Sequence, residues 1–352
     1  MLTFTYDQLP VRVVFGAGSF DKLAEEVGRL GLKRAMVLST PGQRRLAEEA
    51  QKRLGVATGG IHAEAVMHVP VETARLARET ARRLAADCLV AIGGGSTIGL
   101  GKAVALDTGL PIIAVPTTYS GSEMTPIYGL TDNGVKRTGR DRKVLPRIVL
   151  YDPALTVGLP AKVSGPSGIN ALAHCVEALY AEDGNPVTRL MAAEGIRALA
   201  RALPLVVKEP LNLEARSEVL YGAWLAGSAL GAVTMGLHHK LCHTLGGAFN
   251  LPHAELHTVV LPHAVAYNRA AAAAAMRMAA EALGVADPAR GIYELAKKVG
   301  APLSLKELGM PEDGIERAAK LAVESPYRNP RPVEYAGVKR LIEDAWAGRR
   351  PG

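Results

Sequence analysis

The chemistry in this sequence centres on four histidines, and one missing carboxylate decides what kind it is. The histidines fall in two short stretches: Asn170-Ala-Leu-Ala-His174, and His239-Lys-Leu-Cys-His243 followed by Pro252-His253. Positions i and i+4 share a helix face, so each stretch can aim two polar groups into one cavity. Three imidazoles and a carboxylate would make a good divalent-metal site. The carboxylate's place is held by Asn170, a neutral amide. That shifts the expected chemistry from metal binding to proton donation, and no metal is expected. His238 lies about 100° round the helix from His239 and is expected to point elsewhere. His257 and His263 are expected to be structural.

A glycine-rich turn supplies the second constellation. Val90-Ala-Ile-Gly93-Gly94-Gly95-Ser96-Thr97 runs from an apolar strand pattern into a helix starting near Ser96. Glycines permit close backbone approach, and the free amides of a helix N-terminus bind phosphate. The turn is not a Walker A loop: no glycine lies five residues before Gly101-Lys102, and Ala103 follows the lysine. Nor is it G-x-G-x-x-G, since Ile98 occupies the last glycine's place. A tight strand-to-helix turn without a ligand is the plainer alternative. After the next strand comes Pro116-Thr117-Thr118-Tyr119-Ser120-Gly121-Ser122-Glu123. Hydroxyls there suit ribose or phosphate contacts, although they would also serve as helix caps in a polar turn.

The elements that must position these groups follow from periodicity. Residues 11–15, 35–39, 88–92, 112–115 and 148–151 read as strands, with helical spacing over residues 44–54 and 71–86. Strands separated by helices imply a parallel sheet with right-handed crossovers. Residues 133–142 are polar and basic and read as a loop or hairpin. After Asp152-Pro153 the chain is rich in Ala, Leu, Glu and Arg. Pro204, Pro210, Pro252, Pro262, Pro302 and Pro311 divide it into seven or eight expected helices. The expected organisation is an α/β nucleotide domain over residues 1–158 and an all-helical substrate domain over 159–352. The active site is expected in the cleft between them.

Bulk properties narrow the function classes. The 352 residues carry a formal net charge of +7, with 48% hydrophobic and 5% aromatic residues. A positive balance attracts anionic small molecules, and without a basic block or aromatic interleaving no nucleic-acid partner is expected. Three cysteines, Cys88, Cys175 and Cys242, lie in apolar patterns without paired spacing. That fits a reducing compartment. No run of about 18 apolar residues and no leader pattern at Met1 are seen, so a cytoplasmic enzyme with no membrane association is expected.

In order along the chain, Gly93-Gly94-Gly95-Ser96, the Pro116-Thr117-Thr118 loop with Gly121-Ser122-Glu123, the stretch from Asn170 to Tyr180, and the His239/His243/Pro252-His253 block resemble the iron-containing (group III) alcohol dehydrogenase superfamily. The resemblance spans roughly residues 10 to 345. It implies a dehydroquinate synthase-like fold of class α/β, with an N-terminal Rossmann-like parallel-sheet nucleotide domain followed by an all-helical domain. Within the superfamily, the run from Gly168 to Tyr180 and Gly95-Ser-Thr-Ile-Gly-Leu-Gly-Lys102 are similar to the maleylacetate reductase branch. Metal-dependent branches usually carry Asp at the positions of Asn170 and Gly99, and glycine at that of Ala254. The threonine loop is one residue shorter here than in the alcohol dehydrogenases.

Carried over residue by residue, the resemblance places the superfamily's metal-ligand positions at Asn170, His174, His239 and His253, with His243 as an additional cavity residue. It implies NADH or NADPH as cofactor, with contacts at Ser39, Gly93, Gly94, Gly95, Ser96, Thr117, Thr118, Ser120 and Lys143. Neutral Ser39 stands where an acidic residue often reads the ribose hydroxyl, so neither nucleotide is excluded. The implied activity is reduction of a conjugated C=C bond in a small dicarboxylate. Substrate contacts are then expected from Asn170, Tyr327 and Arg328, with Lys240 and Arg331 as further cations. A homodimer is expected, with residues 3–15 pairing across it. The competing readings are a metal-dependent (Fe or Zn) alcohol or polyol dehydrogenase, a lyase that regenerates bound NAD, and a non-catalytic nucleotide-binding module.

Overall fold

The computed structural model describes residues 3–132, 135–324 and 327–352. Its contacts divide the chain into two compact units, Gln8–Gly158 and Leu159–Gly352, the latter joined by residues 3–7.

In the first unit, β-branched apolar runs form strands and amphipathic runs form the helices between them. The order is β1 (Arg12–Phe15), α1 (Leu23–Arg29), β2 (Ala35–Leu38), α2 (Arg44–Leu54), β3 (Thr58–His62), α3 (Val71–Arg83), β4 (Cys88–Gly93), α4 (Gly95–Thr108) and β5 (Ile112–Pro116). The hairpin strands β6 (Ile127–Asp132) and β7 (Val135–Arg140) follow, then β8 (Ile148–Tyr151). Residues 133 and 134 of the expected loop or hairpin lie outside the described residues. The main sheet runs β1-β8-β5-β4-β2-β3 and is parallel throughout. Its central strands are buried on both faces, as helices above and below require. Along β2, Val37 packs with Phe20, Val27 and Ala47 on one side. Met36 and Leu38 pack with Ala74, Ile98 and Val104 on the other.

The strand β3 departs from expectation: its sequence, Thr-Gly-Gly-Ile-His, has no apolar run. A Cβ at Gly60 would lie 2.9 Å from Leu84 Cδ1, and one at Gly59 would lie 3.2 Å from the Arg34 carbonyl. Close packing excludes the side chains that would have announced a strand. The order of strands also reverses between β2 and β4. In open parallel sheets, that crevice beyond the carboxyl ends is where ligands bind.

Among the described residues the second unit holds nine helices rather than seven or eight. They are α5 (Ala161–Tyr180), α6 (Pro186–Lys208), α7 (Leu213–Ala232), α8 (Leu237–Phe249), α9 (His253–Asn268), α10 (Ala273–Leu283), α11 (Pro288–Lys298), α12 (Gly314–Val323) and α13 (Tyr335–Trp346). Two expected breaks are absent: Pro204 lies inside α6 and Pro262 inside α9. Pro204 comes four residues before the end of its helix, and both helices are held by their packing on neighbours. The helix α5 is buried without interruption from Ser164 to Leu179 and packs on α6, α7 and α9. The helix α8 ends on Asn250 in the left-handed conformation (φ 51°), and Pro252 then caps α9. Among the described residues, no single helix is long and apolar enough to cross a membrane.

Candidate active site

A buried histidine cluster forms where α5, α8 and α9 pack together. The rings of His174 and His239 lie 5.1 Å apart between centroids. His257 lies 5.0 Å from His239 and 4.3 Å from His253, and the His243 ring is 6.4 Å from His239. All four expected histidines therefore belong to one group, at different depths. His174 and His239 are buried, whereas His243 and His253 are exposed. One expectation fails here. His238 is in the cluster, 5.2 Å from His239 and hydrogen-bonded through Nε2 to His257 Nδ1 at 3.0 Å. His257, expected to be structural, stands between His239 and His253. His238 and His239 can both face inward because the first three residues of α8, Leu237, His238 and His239, are all buried. The i, i+4 spacing of His253 and His257 was the available signal for the place of His257 beside His253.

The residue that sequence reasoning missed is Glu177. It stands three positions after His174 and seven after Asn170, on the same face of α5. Its carboxylate is fully buried and accepts from the backbone amides of Gly236 at 3.2 Å, His238 at 3.0 Å and His239 at 3.3 Å. It also accepts from the Tyr180 hydroxyl at 2.9 Å and lies 2.6 Å from His239 Nδ1. One side chain thus caps the N-terminus of α8, where the helix dipole favours an anion. A Cβ on Gly236 would sit 3.2 Å from Glu177 Oε1, so glycine is required for that approach. Burial alone would push the Glu177 carboxyl up, but the hydrogen bond and electrostatic pull of His239 bring it down to about 2. Burial, reinforced by its histidine neighbours, holds His174 and His257 well below the ordinary range. The same causes take His238 to about 3. These three rings are neutral near pH 7.

Asn170 Oδ1, His174 Nδ1 and His239 Nε2 are buried with no hydrogen-bond partner. Each such atom costs about 1–3 kcal/mol if nothing completes it, so together they mark a polar ligand's place. As a divalent-ion site the set is short of charge. It contains no anionic donor, and both oxygens of Glu177 are committed to α8. Among the described residues, the three donors within 4.8 Å of one another are His238, His239 and His257. They are not the His174, His239 and His253 of the implied ligand set, and two of them already bond each other.

The expected substrate contacts are less concentrated. Tyr327 has a buried, unpaired hydroxyl, with Lys240 Nζ 5.9 Å from its ring centroid. Arg328 is exposed and pairs with Glu182 at 3.2 Å, while Arg331 stacks 4.1 Å over the Tyr267 ring. Ser325 and Pro326 of the same motif lie outside the described residues.

In the first unit, the expected nucleotide contacts gather at the carboxyl ends of β2, β4 and β5. Ser39 follows β2, fully buried, its hydroxyl donating to the Thr40 carbonyl at 3.1 Å. The Thr117 amide donates to the Gly93 carbonyl at 3.0 Å. Gly93 has φ +151°, and a Cβ there would lie 2.5 Å from Thr97 Oγ1 and 2.8 Å from Gln43 Oε1. A Cβ on Gly94 would lie 3.0 Å from Thr118 Cγ2, and one on Gly95 would lie 3.7 Å from Ser120. No side chain caps α4, and Ser96 stands in its first turn. The cradle fits the pyrophosphate of a dinucleotide. Gln43, also missed, ties the β2 and β5 loops by donating to Thr117 Oγ1 at 2.9 Å. Lys143 is exposed on a short turn after β7.

The loop after β5 is fixed from beneath. Lys102 Nζ is fully buried and donates to the carbonyls of Ser122, Thr125 and Ile127 and to Thr125 Oγ1, at 2.6 to 2.9 Å. Burial pulls this ammonium down to about 7, opposed by Glu123. Four acceptors call for all three N–H donors of the charged form. Glu123, its carboxyl raised by burial, accepts from Tyr151 at 2.9 Å and Ser120 at 3.3 Å.

Comparison with known proteins agrees with this arrangement. The model of the iron-containing alcohol dehydrogenase family matches residues 10–153, and that of the Fe-containing alcohol dehydrogenase family, C-terminal, matches residues 165–346. The chain is 60% identical to a maleylacetate reductase of Burkholderia cepacia, covering 100% of both chains. It is 57% identical to one of Sphingobium indicum, covering 99% of each. The crystal structure of maleylacetate reductase from Agrobacterium tumefaciens superposes with a TM-score of 0.97, at 51% identity and full coverage of both chains. With both halves matched and relatives this close over their full length, the chain belongs to the iron-containing alcohol dehydrogenase family.

Proposed function

We propose that the protein is an NADH- or NADPH-dependent reductase of the conjugated C=C bond of 2-maleylacetate, giving 3-oxoadipate in the breakdown of aromatic compounds. The observation that carries this is Asn170, a neutral amide at the ligand-carboxylate position beside two buried, unpaired imidazole nitrogens. Relatives named maleylacetate reductase, matching along the whole chain, support the choice of substrate.

The chemistry suits the residues. A double bond conjugated to a ketone is already electrophilic, and hydride at the carbon β to the ketone leaves charge on an enolate oxygen. Reduced nicotinamide, when bound, supplies that hydride. The first unit's part is to hold the nucleotide: the Gly93–Gly95 turn and α4 take the pyrophosphate, with Ser39, Thr117, Thr118, Ser120 and Lys143 around it. The second unit's part is to stabilise the oxygen and protonate the adjacent carbon. His174 and the Asn170 amide offer hydrogen bonds to the oxygen, and His239 presents its Nε2 as an acceptor beside them. His243, exposed and exchanging with solvent, supplies the proton, and His253 shares the rim. Lys240 and Tyr327 receive a substrate carboxylate. Arg328 does so only in competition with Glu182.

The reading includes a metal-free site and a cytoplasmic homodimer. The test is NADH and NADPH oxidation on addition of maleylacetate, with and without EDTA, alongside elemental analysis. Turnover indifferent to chelator supports it. About one Zn or Fe per chain, lost together with activity, makes the protein a metal-dependent dehydrogenase instead.

A further inference from the structure

We infer that Glu177 is a positioning residue that fixes the tautomer and orientation of His239, so that the bare Nε2 is presented to the substrate. This deepens the proposed function, and its kinetic part rests on that reading. A carboxylate only accepts hydrogen bonds. With Glu177 Oε2 at 2.6 Å, the ring proton of His239 must therefore sit on Nδ1. The opposite nitrogen, Nε2, is the one that is buried without a partner. The ring cannot turn over without losing that bond and placing the Cδ2 edge against an anion that needs a donor.

The carboxylate is itself immobilised. It accepts three backbone amides at the start of α8 and the Tyr180 hydroxyl. Gly236 leaves room for it, and Asn329 closes the same corner by accepting from the Leu237 amide at 3.3 Å. Asn329 is held in turn by a reciprocal amide pair with Asn268, at 3.0 and 2.7 Å. The orientation of His239 thus descends through Glu177 to three helices, α5, α8 and α9. Outer hydrogen bonds of this kind typically change the function of a working histidine by about 10–100-fold.

The test uses the full-length protein with ¹⁵N-labelled histidine. The imidazole nitrogen shifts of His239 should report a proton on Nδ1 and none on Nε2 in the wild type. Glu177→Gln, with its amide N–H₂ in the place of Oε2, donates to His239 Nδ1 and should populate the other tautomer. Its kcat with maleylacetate should fall by about 10–100-fold, with KM changed far less. In a His239→Ala background, Glu177→Gln should cost little further kcat, whereas its loss of Tm through the α8 cap should persist. Equal kcat losses in both backgrounds, or an unchanged tautomer and kcat in Glu177→Gln, would overturn the inference. Where the variant does not fold, the wild type decides alone, since a proton on His239 Nε2 contradicts the geometry. The tautomer measurement needs no substrate, so it stands even if maleylacetate is not reduced.

Discussion

Asn170, His174 and Glu177 stand on one face of α5, and the order of neutral and charged groups along it sets the chemistry. The carboxylate lies where it can hold His239 but not where it could join His174 and Asn170 around an ion. Moving the charge should change the site's character: Asn170→Asp supplies the anionic donor that three imidazoles lack. Titration calorimetry with Zn²⁺ should show a clear gain in affinity over wild type, and equal affinities would mean that the imidazoles cannot converge on an ion. His243→Ala should lower the reductive step by about 10²–10⁴-fold while leaving NADH affinity unchanged. Near-normal turnover in a folded variant, checked by circular dichroism, would pass the proton donor's role to His174. The four histidines were legible because they recur at helical spacing near an amide. Glu177 was not, because one acid within an apolar helix does not say what lies opposite, and its partners are amides some sixty residues away.

Elements decide how sharply the nucleotide loops are set. The strands β1, β2, β4, β5 and β8 were readable from β-branched runs, but β3 was hidden because Gly59 and Gly60 are there for packing. Prolines misled in the helical unit: Pro204 and Pro262 mark no ends, since packing on neighbouring helices outweighs the lost hydrogen bond. Gly94→Asp should weaken NADH and NADPH together without unfolding the protein, because a carboxylate enters the phosphate turn beside Thr118. Unchanged nucleotide affinity would move the phosphate site elsewhere. Beneath the loop after β5, Lys102→Met would leave four buried oxygens without their donor. A loss of roughly 3 kcal/mol is expected, readable by urea denaturation, and a loss below about 0.5 kcal/mol would mean that water replaces the ammonium.

For the whole molecule, buried neutral histidines make acid the weak side. His174, His238, His257 and His263 all titrate below the ordinary value of 6.5, with His238 at about 3 and His263 at about 4. Burial is the leading cause in each. The unfolded chain then binds more protons than the folded one, so stability falls as pH drops from about 6.5 towards 4. Glu177 adds its loss only below about 4.5, its unfolded value. Tm should therefore decline through the mildly acidic range, with net proton uptake on unfolding. A flat Tm from pH 7 to about 4 would mean that the cluster takes up protons in the folded state as it does in the unfolded chain. The two-part organisation was visible as a change in composition after Asp152, while the depth of the histidines was not, because it depends on how α5, α8 and α9 pack. The most direct measurement is the stoichiometry of NADH consumed to 3-oxoadipate formed when maleylacetate is added to chelator-treated protein. One product per NADH, with no comparable turnover of simple alcohols or aldehydes, is the expected result. Oxidation of alcohols that needs added metal, with maleylacetate left unreduced, would contradict it.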